Sequence, residues 1–126
     1  MAGTVFMLNG GIVLLKRGVE PALGKWVFPG GYVDRGESVP EAAVRETKEE
    51  SQLDVELGPL LNIYSYSGSP NVIVVYTARV IGGELAAADE STEAGIFPPN
   101  EMPWHDLAFG STKDALSDYI KLFLKP

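Results

Sequence analysis

Residues 30–53 constrain the fold of this chain more than any other stretch of its sequence. Residues 38–41 (Ser-Val-Pro-Glu) form a capping-box pattern, with proline in the first turn, where its missing N–H costs little. Good helix formers follow as far as about Ser51. The pattern predicts a helix over these residues. The small side chains at 42–44 predict that this helix packs closely against a sheet.

Three carboxylates of the predicted helix lie on one side of it. Glu46 and Glu50 are four residues apart, and Glu46 and Glu49 are three apart, so their side chains are within reach of each other. Like charges at these spacings repel, and stability alone does not favour them. A hard divalent cation reverses this preference, because it binds clustered carboxylate oxygens. The cluster therefore predicts a metal site, and the alternative is an acidic helix face in solvent.

Composition and charge limit the class of protein. A chain of 126 residues with 45% apolar and 21% charged residues is typical of one soluble domain, which we assign to residues 1–126. The absence of cysteine excludes disulfides, zinc–thiolate sites and cysteine nucleophiles. A net charge of −7 argues against a nucleic-acid polymer as partner. The apolar runs are too short to span a membrane and no signal peptide is recognisable, so we expect a cytoplasmic protein without a membrane partner.

The rest of the sequence alternates apolar runs with turn residues. Asn9-Gly10 between two apolar runs predicts a β-hairpin. The last apolar stretch has the period of an amphipathic helix, with Ser111 or Thr112 as its N-cap. The whole predicts one mixed α/β domain. The predicted strands are 4–8, 12–16, 26–28 (ended by the turn at 29–31), 54–66 (bent at 58–59), 71–80 and 95–97, with a loop over 82–92 and the final helix over 111–124.

The segment from Gly31 to Leu53 resembles the Nudix hydrolase signature, G-x5-E-x7-R-E-U-x-E-E-x-G-U, in which U is an apolar residue. The matching positions are Gly31, Glu37, Arg45, Glu46, Glu49, Glu50 and Leu53. Two positions depart from the signature, because Thr47 replaces an apolar residue and Gln52 replaces the last glycine. A glycine there ends the helix in a left-handed conformation, which a residue with a Cβ enters at a cost of roughly 1 kcal/mol. Either Gln52 accepts that strain or the helix ends differently.

The resemblance implies both a fold and a chemistry. The fold is an α/β/α sandwich, in which a mixed sheet lies between the signature helix and the C-terminal helix. The chemistry is hydrolysis of a nucleoside diphosphate linked to another moiety, with Mg²⁺ or Mn²⁺ as cofactor. Residues 104–109 are also similar to a subgroup that includes ADP-ribose and FAD pyrophosphatases, so we expect an ADP-ribose-like substrate or a dinucleotide. A homodimer is compatible with the family.

Site roles follow from the motif positions. Glu46, Glu49 and Glu50 would bind the metal together with the carbonyl oxygen of Gly30. Arg45 would orient these glutamates, Glu37 would hold Arg45, and Gly31 and Arg45 would lie beside the substrate. A further acid would come from a loop outside the signature. The candidates for it are Asp89, Glu90 and Glu93, with Glu90 and Glu93 preferred.

Several alternatives stay open at the level of sequence. Tyr64, Tyr66 and Phe109 are candidates for stacking on a nucleobase, although packing is the more common role of such residues. The second enzymatic interpretation is a nucleoside triphosphate pyrophosphohydrolase on the same scaffold. A different class of function is a nucleotide sensor that binds without cleaving, and retention of all the signature carboxylates argues against it.

Overall fold

Two four-stranded β-sheets and two α-helices make up most of the computed structural model, which describes residues 1–124. The last two residues of the predicted domain, 125 and 126, lie outside the described part. The helices are α1 (Val39–Ser51) and α2 (Phe109–Phe123). The strands are β1 (Ala2–Val5), β2 (Met7–Leu8), β3 (Gly11–Arg17), β4 (Trp26–Val27), β5 (Gly30–Gly31), β6 (Leu53–Ser65), β7 (Val72–Gly83) and β8 (Ser91–Phe97).

The first sheet is mixed and has the strand order β5-β1-β7-β6. β1 runs parallel to β7, whereas the β1–β5 and β6–β7 pairs are antiparallel. The β6–β7 register shifts between Leu57 and Leu60, where the sequence predicted a bend at Gly58-Pro59. The predicted long strands are therefore present and lie side by side.

The second sheet is antiparallel and is built around β3, which pairs with β2, β4 and β8. Asn9 and Gly10 connect β2 to β3, and both have positive φ angles, of 49° and 87°. This is the turn geometry that Asn-Gly favours in a two-residue hairpin, so the hairpin prediction is confirmed.

Helix α1 begins and ends at the residues that its sequence indicates. The Ser38 hydroxyl accepts a hydrogen bond from the Glu41 N–H (3.2 Å), and the Glu41 carboxylate accepts one from the Ser38 N–H (2.8 Å). At the other end Gln52 has a φ of 66°, and its N–H donates to the Lys48 carbonyl. The capping box is confirmed, and Gln52 accepts the left-handed conformation in place of glycine.

The two helices pack on opposite faces of the first sheet. Ala2 of β1 is buried against Ala42 and Ala43 of α1. Val5 of the same strand is buried in a cluster that includes Leu116 of α2. Positions 2 and 5 of a strand point to opposite faces, so the first sheet lies between α1 and α2. The α/β/α sandwich is confirmed. No helix within residues 1–124 is both long enough and apolar enough to cross a membrane.

The structure corrects three predicted strand boundaries. The single strand predicted over 4–8 is two strands in different sheets, and the fully buried Phe6 lies between them. The glycines at 30–31 are more than a turn, because they form β5 and pair with β1. The loop predicted over 82–92 is shorter, since β7 reaches Gly83 and β8 begins at Ser91. In each case pairing with a distant strand sets the boundary.

The start of the C-terminal helix is also corrected. Neither Ser111 nor Thr112 is the N-cap, because α2 begins at Phe109 after Ala108, and no side chain caps it. Ser111 and Thr112 instead lie within the helix, where both are buried. The predicted apolar side of the helix is buried at Ala115, Leu116 and Tyr119.

Candidate active site

A cavity of about 740 Å³ lies where α1, β5, the β7–β8 loop and the start of α2 meet. Its volume is in the range of small-molecule sites. Both charged groups and aromatic rings line it, including Arg17, Gly30, Gly31, Tyr32, Glu46, Glu50, Tyr66, Asp89, Glu90 and Phe109. The cavity thus brings together residues from six parts of the chain, since Arg17 belongs to β3 and Tyr66 follows β6.

Arg45 is the centre of an ion-pair network at the edge of this cavity. Its Nε and Nη2 atoms donate to the two carboxylate oxygens of Glu37, at 2.7 and 3.0 Å. Its Nη1 atom donates to Glu46 (2.8 Å) and Glu49 (2.7 Å), and its Nη2 atom also donates to the Tyr32 carbonyl (3.0 Å). A planar guanidinium suits such forked contacts, and it fixes three carboxylates relative to β5. The predicted Glu37–Arg45 contact is present in the structure.

The network stabilises the charged form of Glu37. Hydrogen bonds from Arg45 and from the Asp34 N–H hold the pKa of Glu37 below its usual value. The same contacts raise the pKa of Arg45, chiefly through the hydrogen bond to Glu37. The negative charge of Glu37 is therefore matched by the positive charge of Arg45.

Glu50 occupies a different environment on the same helix. One of its oxygens accepts a hydrogen bond from the Gly30 N–H (2.8 Å). Burial raises the pKa of Glu50 to about 7. The negative charges of Glu46 and Asp89 raise this pKa as well, whereas the hydrogen bond from Gly30 lowers it. Burial also raises the pKa of Glu46, although contact with Arg45 opposes it. A carboxyl group with a pKa near neutrality can accept or release a proton at physiological pH.

The two glycines of β5 allow the carboxylates to approach the sheet. A Cβ at Gly31 would collide with the Glu46 carboxylate. A Cβ at Gly30 would lie 2.9 Å from the Ala2 carbonyl oxygen of β1. The absence of side chains at these glycines therefore allows α1 and β1 to approach β5 closely.

The carboxylates have the donor chemistry for a divalent cation, but they do not form a closed ligand set. Within residues 1–124, no three His, Cys, Asp or Glu side chains lie close enough together to hold a metal ion. The reason is visible in the contacts, since Glu46 and Glu49 turn to Arg45 and Glu50 turns to Gly30. Even so, Glu46 and Glu50 line one cavity with two loop acids, and hard cations bind such oxygens. These carboxylate oxygens are the type of ligand that Mg²⁺ and Mn²⁺ bind.

The loop acids divide into two groups. Asp89 and Glu90 line the cavity, and the charge of Asp89 raises the pKa of Glu50. Glu93 lies in β8 outside the cavity lining and forms an ion pair with Lys16 (3.3 Å). The sequence favoured Glu90 and Glu93, and the structure brings Asp89 and Glu90 to the site. The start of β8 at Ser91 explains the difference, because it places Glu93 in the pairing with β3.

The three candidate aromatic residues also lie in different places. Tyr64 is buried in the core, and its hydroxyl donates to Asp118 (2.6 Å). Tyr66 lines the cavity and donates to Asp114 (2.6 Å). Phe109 lines it too and is 45% exposed. Tyr66 and Phe109 are accessible to a ligand in the cavity, whereas Tyr64 packs.

Arg17 is a residue of the cavity that the sequence did not single out. Its Nε donates to the Pro21 carbonyl (2.7 Å), and its guanidinium lies over the Phe109 ring, 5.1 Å from the centroid. Its terminal nitrogens have no hydrogen-bond or ion-pair partner within the described residues. A second basic residue after Lys16 at the end of an apolar strand gave no signal in the sequence, because Phe109 comes from a distant part of the chain.

Comparison with known proteins places these features in a family. The NUDIX domain model matches residues 2–118. An ADP-ribose pyrophosphatase of Methanocaldococcus jannaschii is 41% identical over 117 residues, which cover 87% of this chain and 66% of the relative. The 8-oxo-dGDP phosphatase NUDT18 of Homo sapiens is 32% identical over 96 residues, covering 73% of this chain and 29% of the relative. The chain thus spans just under two thirds of the first relative and less than a third of the second.

Solved structures agree with the sequence comparison. The crystal structure of a NUDIX hydrolase from Nitrosomonas europaea superposes with a TM-score of 0.91 at 30% identity, covering 98% of this chain and 70% of the other. The order of strands and helices described above is therefore shared with that protein over almost the whole chain.

Proposed function

Because this chain belongs to the NUDIX family, we propose that it hydrolyses the pyrophosphate bond of a nucleoside diphosphate derivative with the help of a divalent cation. The observation that carries this proposal is the state of Glu50. It is partly buried at the wall of a ligand-sized cavity, where desolvation raises its pKa to about 7, and it lies beside a second carboxylate, Glu46, that Arg45 holds in place. With two adjacent carboxylates, one can stay on a cation while the other accepts a proton from an attacking water.

The residues present suggest how the site would be used. Glu46 and Glu50 would bind Mg²⁺ or Mn²⁺, with Asp89 or Glu90 and the Gly30 carbonyl oxygen as further ligands and Glu49 joining them on release from Arg45. The cation, when bound, would neutralise phosphate charge and lower the pKa of a bound water. Glu37 and Arg45 would keep the acidic face of α1 in register with β5. The cavity contains no cysteine and no histidine, so a water nucleophile is the chemistry that its residues favour.

The substrate we propose is an ADP-ribose-like compound or a dinucleotide. The relative from Methanocaldococcus jannaschii is named an ADP-ribose pyrophosphatase, and its similarity covers 87% of this chain. A second candidate is a free nucleoside diphosphate, since the human relative is named an 8-oxo-dGDP phosphatase. A nucleoside triphosphate pyrophosphohydrolase is the third substrate class that the scaffold suggests.

A substrate panel with product analysis tests the proposal. The purified protein is incubated with ADP-ribose, diadenosine polyphosphates, 8-oxo-dGDP and the common nucleoside triphosphates, in Mg²⁺, in Mn²⁺ or in EDTA. We expect AMP and ribose 5-phosphate from ADP-ribose, and no product in EDTA. Pyrophosphate release from a triphosphate would favour the third class. Tight nucleotide binding without product in either metal would contradict hydrolysis and indicate a sensor.

Two further expectations stay predictions. We propose a cytoplasmic location and a homodimer, both of which are compatible with the acidic surface and the short apolar runs. Light scattering during size-exclusion chromatography would measure the mass in solution, and a mass of one chain would contradict the dimer.

A further inference from the structure

A small recess of about 70 Å³ lies beside the large cavity and shares part of its wall. Arg17, Glu50 and Phe109 line both spaces, so a ligand in the cavity can extend into the recess. Most of the recess wall is apolar, and it comes from Ala2, Val27, Phe28, Ile73 and Phe109. Among the polar residues that also line the recess, Thr112 is distinguished by the state of its hydroxyl.

Thr112 is fully buried, lines the recess, and has no hydrogen-bond partner for its Oγ1 atom within residues 1–124. Buried hydroxyl groups nearly always have a partner, because burial without one loses the hydrogen bonds made to water. Valine has almost the same shape as threonine and would fill the space without that loss. An unpaired hydroxyl on a residue that lines a recess therefore indicates that something else supplies the partner atom.

We propose that the recess receives the edge of the substrate's nucleobase, and that the Thr112 hydroxyl hydrogen-bonds to a polar atom of that edge and so determines base preference. This inference rests on the proposed function, because it assigns a part of the same substrate. Arg17 takes part because it lines both spaces and its guanidinium lies over the Phe109 ring.

The chemistry of the wall selects the base over the other parts of a nucleotide. A phosphate is strongly hydrated and charged, and in this mainly apolar recess the attraction of Arg17 is opposed by the like charge of the Glu50 carboxylate. A ribose has hydroxyl groups on all sides and would leave several of them unpaired against those walls. A nucleobase has apolar faces and a polar edge, which matches a mainly apolar slot whose polar residues include Thr112 and Arg17.

A variant that changes only the hydroxyl tests the proposal. The rate of hydrolysis is measured for ADP-, GDP-, UDP- and CDP-glucose, four substrates that differ only in the base. The proteins compared are the wild type, Thr112→Val, Thr112→Ser and Thr77→Val. Thr77 is the matched control, because its hydroxyl donates to the Pro59 carbonyl (2.7 Å) in the sheet and does not line the cavity.

We expect Thr112→Val to lower kcat/KM for the preferred base by about tenfold or more, mainly through KM, and to narrow the differences between the bases. Thr112→Ser keeps a hydroxyl and should retain the preference, as should Thr77→Val. Thr112→Val should melt at the same or a higher temperature than the wild type, because it removes a buried unpaired group. This result would show that the loss is one of recognition and that the variant folds.

Two outcomes would overturn the inference, and both are distinct from failure of the proposed function. Unchanged base ratios in Thr112→Val would mean that the recess holds only water. If the wild type cleaves none of the four substrates, binding of AMP, GMP, UMP and CMP is measured by calorimetry. Equal affinities of wild type and Thr112→Val in that measurement would exclude the base from the recess even when hydrolysis is absent.

Discussion

The acidic cluster at helix α1 has two sides, one paired with Arg45 and one facing the cavity without such a partner, and they are in opposite electrostatic states. On the paired side Arg45 contacts Glu37, Glu46 and Glu49, and each of these contacts is 2.7 or 2.8 Å at its shortest. On the unpaired side Glu50 is partly buried, with one N–H donor and two carboxylate neighbours, Glu46 and Asp89. The pKa of Glu37 is lowered, whereas that of Glu50 is raised to about 7.

This contrast shows how one helix can combine rigidity with reactivity. The paired side holds the helix to β5 through the backbone carbonyl of Tyr32 and the carboxylate of Glu37. The unpaired side keeps a carboxyl group in a state that stability does not favour, and such perturbed groups are common at functional sites. Glu46 belongs to both sides, because it touches Arg45 and also lines the cavity.

The largest effect should come from removing the charge of the unpaired side. Glu50→Gln keeps the size of the side chain and an oxygen for the Gly30 N–H, but it can neither accept a proton nor neutralise a cation. We expect metal-dependent turnover to fall by about 10³-fold or more, measured with the best substrate of the panel. Glu56→Gln is the control, since Glu56 is an exposed carboxylate paired with Arg79 (2.8 Å). Undiminished turnover in Glu50→Gln would contradict the role given to this residue.

The pH dependence of stability should have opposite signs on the two sides. Glu50 has a raised pKa, so between its ordinary value of 4.5 and about 7 the native state holds a proton that the unfolded state has lost. The unfolding free energy of the metal-free protein should therefore fall as the pH rises through this range, by up to about 3 kcal/mol. Glu46 contributes with the same sign. Glu37 has a lowered pKa, so its contribution is present above its ordinary pKa and is lost as the pH falls.

Chemical denaturation in EDTA from pH 3 to pH 8 measures how the unfolding free energy changes with pH, both at acid pH and between pH 4.5 and 7. Glu50→Gln should remove much of the fall in unfolding free energy between pH 4.5 and 7. It should leave the loss of stability at lower pH unchanged. Glu37→Gln should reduce the loss of stability at low pH and leave the fall in unfolding free energy between pH 4.5 and 7 unchanged. If the unfolding free energy of Glu50→Gln changes between pH 4.5 and 7 as it does in the wild type, the raised pKa does not belong to Glu50.

The smallest effect should come from Gln52 at the end of α1, which connects the helix that carries both sides to the following strand, β6. Gln52 has a φ of 66°, and its Nε2 makes long hydrogen bonds to the carbonyls of Lys48 (3.3 Å) and Glu49 (3.4 Å). Gln52→Gly should raise the unfolding free energy by up to about 1 kcal/mol, because glycine adopts positive φ without strain. Denaturation at pH 7 measures the change, with Gln52→Ala as the matched variant that keeps the strain. A less stable Gln52→Gly protein would show that the side-chain contacts outweigh the strain.

Thr47, the other departure from the signature, has a structural explanation that the sequence alone did not provide. It is fully buried, and its hydroxyl lies 2.7 Å from both the Thr4 hydroxyl and the Ala43 carbonyl. A polar residue is tolerated at this apolar position because its hydroxyl is paired there. The partner Thr4 comes from β1, which is 43 residues away in the chain.

The sequence by itself determined what is encoded within consecutive residues. The capping box, the extent of α1, the Asn-Gly hairpin and the spacing of the signature residues depend on local geometry, and the structure reproduces them. The sandwich fold and the family followed from the same 23-residue signature, because its pattern is specific. These features needed no knowledge of which distant segments meet.

Only the tertiary structure decided which residues share the cavity and in what state. It brought Asp89 to the site and left Glu93 in a strand, it joined Arg17 to Phe109, and it turned Thr112 from an expected cap into a buried, unpaired hydroxyl. Burial and the neighbouring charges set the pKa of Glu50, and both depend on parts of the chain far from α1. The physical reason is that desolvation and pairing are properties of the packed molecule, whereas helix period and capping are properties of the adjacent residues.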